Sequence, residues 1–325
     1  MATGNGILRK MSGSVGDLTY RIVNGQQTVA ARVTHVKNPR TEGQMNQRSK
    51  WANLLAVYKA GAPALKEAFE NKNGKVSDYN RFMSINLQST GVYITKQMAA
   101  QGGGIAAPYQ ITQGSLPAIQ VEGQGNEAVS DLKVGNLVIN ETTTVGQLAE
   151  AILTHNEGWI QGDQLSFFCF KQLVDREMEM PYVVCQKSRV TLHLNDNTLL
   201  LEVMPDYACQ VKEGCLAVGE NLPEGAFAWV HSRKGKSKTM VSSQRLKLFN
   251  SIYVQYVDAD AQSNAILSYG VTEDAFLKPQ ASERPQTPES PNGGQQSSDN
   301  GQQTPPVDNP SGDNTNPGGD PSKEL

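Results

Sequence analysis

The 325-residue sequence predicts an α+β fold in three consecutive parts. An Asn24-Gly25 pair sits between two short β-like runs, which is a strong hairpin signal because both positions accept φ > 0. A helical apolar spacing follows over about residues 42–60. From Gln164 onward, short apolar runs punctuated by Gly, Pro and Asn dominate. The expected order is a hairpin-plus-helix module over 1–100, a β-rich sandwich- or barrel-like domain with one or two helices over 101–278, and a tail over 279–325.

Taken in order, Leu18–Val23 (LTYRIV) and Gln27–Val33 (QTVAARV) read as the hairpin strands. Pro39 biases Asn38 toward extended backbone, and Thr41 with Gln44 has the spacing of a capping box. The helix that starts there carries Trp51, Leu54, Leu55 and Tyr58 at i, i+3, i+4, i+7, the expected buried stripe, and Pro63 ends or kinks it. At 100° per residue Gln44, Gln47 and Arg48 share the side of Trp51, Leu55 and Tyr58. Buried polar groups need partners. Two readings stay open: Gln44 and Arg48 form a structural lock to the backbone or to Asp17 of the hairpin, or they contact a polar ligand at the helix N-terminus.

A capped helix is expected over 77–87, a flexible loop at Gly102–Gly104, strands and turns over 109–140, and a helix behind Thr144. QLSFFCFKQL, PYVVCQ, RVTLHL, TLLLEV, GCLAV, FAWVHS and TMVSSQRLKL read as strands, and residues 251–270 as a closing helix. The tail has no aromatic residue, and Val307 and Leu325 are its only larger aliphatics. Such a segment cannot offset roughly 1–2 kcal/mol per residue of backbone ordering, so it is expected to be a disordered linker, solubilising tail or tether.

Charge is unevenly placed. Residues 1–60 carry net +7, residues 61–278 net −5 and the tail net −5, against −3 for the whole chain. A basic end and an acidic end fit self-interaction, a polyanionic partner for the first segment, or simply a solvated surface. No run of about 18 apolar residues exists, so no membrane span is expected, and the first 16 residues lack the apolar core of a secretory signal. A cytoplasmic or virion-associated location follows as the expectation.

Several chemistries find no support. Gly235-Lys236-Ser237 ends like a P-loop, but its opening Gly would fall at Val230 and the context is a hairpin. Gly13-Ser14-Val15-Gly16 lacks the GxSxG spacing of a nucleophile elbow. Cys169, Cys185, Cys209 and Cys215 form no CxxC pair and read as free thiols; Cys209 and Cys215 would be the pair to bridge in an exported protein. His35, His155, His193 and His231 read as ordinary histidines, and Asp175, Glu177 and Glu179 as a solvated edge. No catalytic, cofactor or metal residue is therefore assigned. For nucleic acid, Arg9, Lys10, Arg21, Arg32, Lys37 and Arg40 are the candidate contacts, with Tyr20 available to stack on a base, although strand alternation sends Tyr20 and Arg21 to opposite faces.

Gly13-Ser14-Val15-Gly16-Asp17-Leu18-Thr19-Tyr20-Arg21, followed by Asn38-Pro39-Arg40-Thr41 with Gln44, Gln47 and Arg48, resembles a domain-of-unknown-function family of Bacteroidota and related phage and mobile-element proteins. The Phe227–Arg233 and Val241–Leu246 segments are similar to that family's C-terminal half. The resemblance implies a phage or mobile-element setting and supplies no catalytic residues. The function expected is a non-enzymatic structural or assembly protein that binds a protein partner or itself. The alternative is a nucleic-acid-binding module using residues 1–60.

Overall fold

A computed structural model describes residues 2–3, 11–23, 26–33, 40–70, 76–89, 91–177, 179–236 and 238–270. The fold is α+β, as expected, and no sheet closes into a barrel among the described residues. In chain order the elements are β1 (Ala2–Thr3), β2 (Gly13–Val15), β3 (Leu18–Val23), β4 (Gln26–Ala31), α1 (Glu42–Gly61), α2 (Asp78–Asn86), α3 (Lys96–Ala100), β5 (Gln110–Thr112), β6 (Val121–Glu122), β7 (Val129–Lys133), α4 (Val145–His155), β8 (Gln164–Val174), β9 (Pro181–Thr191), α5 (Leu200–Val203), β10 (Gln210–Lys212), β11 (Cys215–Ala217), β12 (Gly225–Lys234), β13 (Thr239–Val241), β14 (Gln244–Arg245), β15 (Lys247–Phe249) and α6 (Ala259–Ser268). The Asn24-Gly25 turn and the expected disordered tail lie outside the described residues.

An antiparallel sheet in the order β13-β12-β8-β9, with β15 also on β12, organises the body. Side chains alternate across its two faces. Leu165, Phe167 and Cys169 of β8 and Phe227 and Trp229 of β12 join Leu148 and Ile152 of α4, Leu132 and Leu216 in one core. Phe168 and Phe170 of β8 and Ala226, Ala228 and Val230 of β12 join Leu54 and Val57 of α1, Phe82 and Tyr109 in the other. Covered on both sides, Gln164–Phe170 is buried at all seven positions, five of them apolar: Leu165 and Phe167–Phe170. A smaller sheet, β10-β11-β7-β6, supplies the layer beside α4, and β5 pairs with β14.

Two glycines permit close approach, one between paired strands and one between a helix and the sheet. A Cβ on Gly225, whose φ is +142°, would stand 1.9 Å from the Phe170 carbonyl oxygen across the β8–β12 ladder. A Cβ on Gly61 would stand 2.8 Å from the Phe170 ring, where the end of α1 meets the sheet.

Helix α1 has the expected span, and of the expected stripe Leu54 is buried and Leu55 and Tyr58 are half-buried, but the buried face is turned away from Trp51. Met45, Ser49, Asn53, Leu54, Val57 and Gly61 are buried, whereas Trp51 is 41% exposed. The polar members are fully paired. Ser49 Oγ donates to Ile94 O at 3.0 Å. Asn53 Nδ2 donates to Ile105 O at 3.1 Å and to the Tyr109 hydroxyl at 2.8 Å, while its Oδ1 accepts the Ile105 N–H at 2.7 Å. Asn53 thus satisfies the main chain of a segment entering the core, which an apolar side chain cannot do. Thr41 is the N-cap residue, but its side chain makes no cap hydrogen bond, so the expected Thr41–Gln44 box is absent. The box expected at Thr144 does form, with Gln147. Ser77 caps α2 as expected. TLLLEV ends in the short helix α5 in place of a strand, and TMVSSQRLKL is broken into β13, β14 and β15.

Asn53→Ala is expected to cost about 3 kcal/mol, because it strands the Ile105 amide and carbonyl in the core. Trp51→Ala is expected to cost less. Urea denaturation of the two variants checks this, and equal or reversed costs would contradict it.

Candidate functional site

Two places concentrate unusual chemistry or surface. The first is a buried charge cluster where β8 begins. Asp163 is fully buried, and four donors converge on its carboxylate. Arg233 Nε reaches Oδ1 at 2.7 Å and Arg233 Nη2 reaches Oδ2 at 2.8 Å, a two-point pairing. His231 Nε2 stands 2.8 Å from Oδ2, and the Ile160 N–H donates to Oδ2 at 3.0 Å. Arg233 Nη2 also donates to Gly158 O at 2.6 Å. The Trp159 ring stacks on the imidazole with centroids 3.6 Å apart and planes 12° apart.

Burial alone works to raise the Asp163 pKa, but the Arg233, Ile160 and His231 hydrogen bonds outweigh it and hold the carboxyl below its ordinary range. Burial lowers the His231 pKa by more than Asp163 offsets, so the imidazole is neutral near pH 7. The ionised carboxylate only accepts, which assigns the His231 proton to Nε2. Arg233 is raised, first by its hydrogen bond to Asp163. The carboxylate is occupied by donors, one ring face is covered by Trp159, and the nearby Ser242 Oγ is used by the His231 main-chain N–H at 3.1 Å. These groups act as a clamp between β12 and the loop before β8. Strand alternation in FAWVHSR puts His231 and Arg233 on one face, but their partner Asp163 lies 68 residues away from His231 in sequence, so nothing local announces it.

The second place is the N-terminal sheet, ordered β1-β4-β3-β2. Its register pairs Val15 with Leu18, Leu18 with Ala31, Tyr20 with Val29 and Ile22 with Gln27. Val15, Leu18, Tyr20, Ile22, Val29 and Ala31 therefore share one face with the buried Gln27, whose Nε2 donates to Met11 O at 2.8 Å. Val15 is 59% exposed, Leu18 42% and Ile22 50%. The other face carries Ser14, Thr19, Arg21, Gln26 and Thr28, with Ala30 and the 50% exposed Val23 among them. The alternation in LTYRIV already contains this amphipathic pattern; what it lacks is any sign that the apolar side stays uncovered.

Among the candidate nucleic-acid contacts, Arg9, Lys10 and Lys37 lie outside the described residues. Arg21 is exposed on the polar sheet face, opposite Tyr20. Arg32 is exposed after β4, its main-chain N–H donating to Asp17 O at 2.6 Å. Arg40 is exposed and its Nη1 lies 3.5 Å from Gly270 O, beyond α6. Arg40 is thus tied to the main chain just after α6. Gln44, Gln47 and Arg48 are exposed, which corrects the burial expected of them. The physical reason is that α1 turns its Met45–Ser49–Asn53 side inward, and Arg48 Nη1 lies against Met45 Sδ at 3.9 Å on its own helix.

The four cysteines are free. Burial pushes Cys169 up to about 11 and Cys209 up to about 12, so both are protonated thiols near neutrality. No group of three or more His, Cys, Asp or Glu is arranged to hold a metal ion, and no helix is long and apolar enough to cross a membrane, among the described residues.

Residues 10–133 match the model of a family of unknown function, DUF6266. That span runs from just before β2 to the end of β7, less than half of the chain. No curated protein and no solved structure matches.

Stability is expected to fall with acid in two pH windows. The folded His231 pKa lies below the ordinary 6.5, so the unfolded chain binds more protons below about pH 6.5 and stability falls from there as pH drops. The folded Asp163 pKa lies below the ordinary 3.8, so its contribution is present above that value and is lost at still lower pH. His231→Gln is expected to flatten the upper window in denaturation midpoints measured from pH 8 to 4; an unchanged slope would contradict the assignment. Arg233→Met is expected to cost about 3 kcal/mol at pH 7 by leaving a buried carboxylate without its main partner.

Proposed function

We propose that the protein is a non-enzymatic assembly component that associates with further copies of itself through the apolar face of its N-terminal sheet. The observation that carries this is the exposure of Val15, Leu18 and Ile22 on one face of an otherwise regular sheet. Contiguous apolar surface of this kind marks interaction sites. Charge favours a second copy as the occupant, since residues 1–60 carry net +7 and the remainder of each chain is acidic. The acidic tail of the same chain is a poor cover for the face, having only Val307 and Leu325 as larger aliphatics.

The size of the face supports an array rather than a tight pair. A sheet of this width and strand length presents roughly 300 Å², below the ~800 Å² per partner of a stable interface. Such contacts are weak singly and become effective when repeated between many copies. The saturated Asp163 cluster and the protonated thiols fit a non-catalytic role. The resemblance to phage and mobile-element proteins of Bacteroidota supports a particle-associated setting.

Sedimentation velocity over a concentration series tests this. The full-length chain is expected to sediment faster as concentration rises, and a Leu18→Lys, Ile22→Lys double variant is expected to remain monomeric with unchanged circular dichroism. A native chain that stays monomeric throughout, or a double variant that assembles as well as the native chain, would contradict it.

A further inference from the structure

On the helix-facing side of the central sheet the apolar rows stop before the strands do. Along β8 the residues on this face run Phe170, Phe168, Ser166, Gln164, and along β12 they run Ala226, Ala228, Val230, Ser232, Lys234. On the opposite face Leu165 and Phe167 still belong to the other core, and beside them His231 and Arg233 turn to Asp163. The change to small hydroxyls leaves a cavity of about 60 Å³ between the sheet and the turn around residues 64–68. Ser166 is 2% exposed and Ser232 9% exposed, and both line it. Neither hydroxyl has a hydrogen-bond partner among the described residues, so both are left for an occupant of the cavity.

Four cations line the same cavity as these hydroxyls. Arg189 stands directly across from Ser166 on β9, and Lys187 is the next residue on the same face. Lys66 and Lys234 also line the cavity, with Glu67 as the one acidic lining residue among those described. The Lys187 ammonium is held in place, donating to Ala64 O at 3.0 Å and lying 4.6 Å from the Phe168 ring centre. Burial, and then the charge of Arg189, push its pKa below the ordinary lysine value. These four cations are exposed, and an anion in the cavity would take charge-assisted hydrogen bonds from them and from the hydroxyls.

We propose that this cavity is an oxyanion site, taking a phosphate-type group whose oxygens accept from Ser166, Ser232, Lys187 and Arg189. The volume suits a small tetrahedral anion or a few waters, a water needing roughly 10–15 Å³ on this measure. The phosphate has two sources, a free phosphate or phosphomonoester and a nucleic-acid backbone, and the chemistry of the site is shared between them. The site is independent of the assembly face, because none of its residues belongs to the N-terminal sheet.

Calorimetric titration of inorganic phosphate into the full-length protein, at ionic strength held constant with sodium chloride, is the test. Saturable binding is expected, weakened about tenfold or more in both Ser166→Val and Arg189→Gln, a loss equivalent to about one charge-assisted hydrogen bond. Arg189 is exposed, so its variant is expected to keep the native melting temperature and to report even if Ser166→Val does not fold. A short oligothymidylate is titrated in parallel. Oligonucleotide binding that is displaced by phosphate and lost in Arg189→Gln supports the site and identifies the backbone source; phosphate binding alone supports it with a free phosphate or monoester. Absence of saturable phosphate binding, oligonucleotide binding without phosphate binding, or phosphate affinity unchanged in Arg189→Gln would overturn the proposal.

Discussion

The pairing of β8 with β12 is the constraint on which the rest of the body depends. Eight residues of each strand run in one unbroken antiparallel register, from Gly225 opposite Lys171 to Ser232 opposite Gln164. Because both faces of this pair are covered, every large side chain along it commits to one of two cores. Phe167 and Trp229 hold the layer of α4 and the small sheet; Phe168 and Phe170 hold the helices. Gly225 permits the approach, since any Cβ there would strike the Phe170 carbonyl. Both noteworthy polar features lie at the same end of this ladder, where the strands change from apolar to polar. On the Trp229 face that end is closed by Asp163, His231 and Arg233. On the Val230 face it opens into the cavity lined by Ser166 and Ser232.

Much of the fold is legible in the sequence wherever local signals are strong. The β3–β4 hairpin, α1, α2, α4 and the long strands β8 and β12 follow from turn chemistry, caps and apolar runs. What misleads is burial without hydrophobicity. The inward side of α1 mixes Met45, Leu54 and Val57 with Ser49 and Asn53, and these two polar residues hydrogen-bond Ile94 and Ile105, which come from distant segments. A hydrophobic template therefore selects Trp51 and places Gln44 and Arg48 inward by association. Short strands fail for a related reason: β14 leaves its neighbours to pair with β5, a partner more than 130 residues earlier.

The site features were legible to different degrees. The amphipathic face of the N-terminal sheet is written in the alternation of Leu18, Tyr20 and Ile22, although alternation normally signals a covered face, and its exposure is a tertiary property. The Asp163 cluster and the Ser166 cavity require the β8–β12 register before their members can be brought together. Basic residues alone pointed to residues 1–60, whereas Lys187, Arg189 and Lys234 gather on the central sheet from two separate strands.

The central claim is that the body is held by a fully covered sheet while the N-terminal sheet presents an uncovered apolar face to other copies. Hydrogen exchange at two protein concentrations tests it most directly. Amides of β8 and β12 are expected to exchange slowly and independently of concentration, and those of β3 and β4 to gain protection as concentration rises. Protection of β3 and β4 that is already maximal in dilute solution, or that does not change on concentrating the protein, would contradict the account.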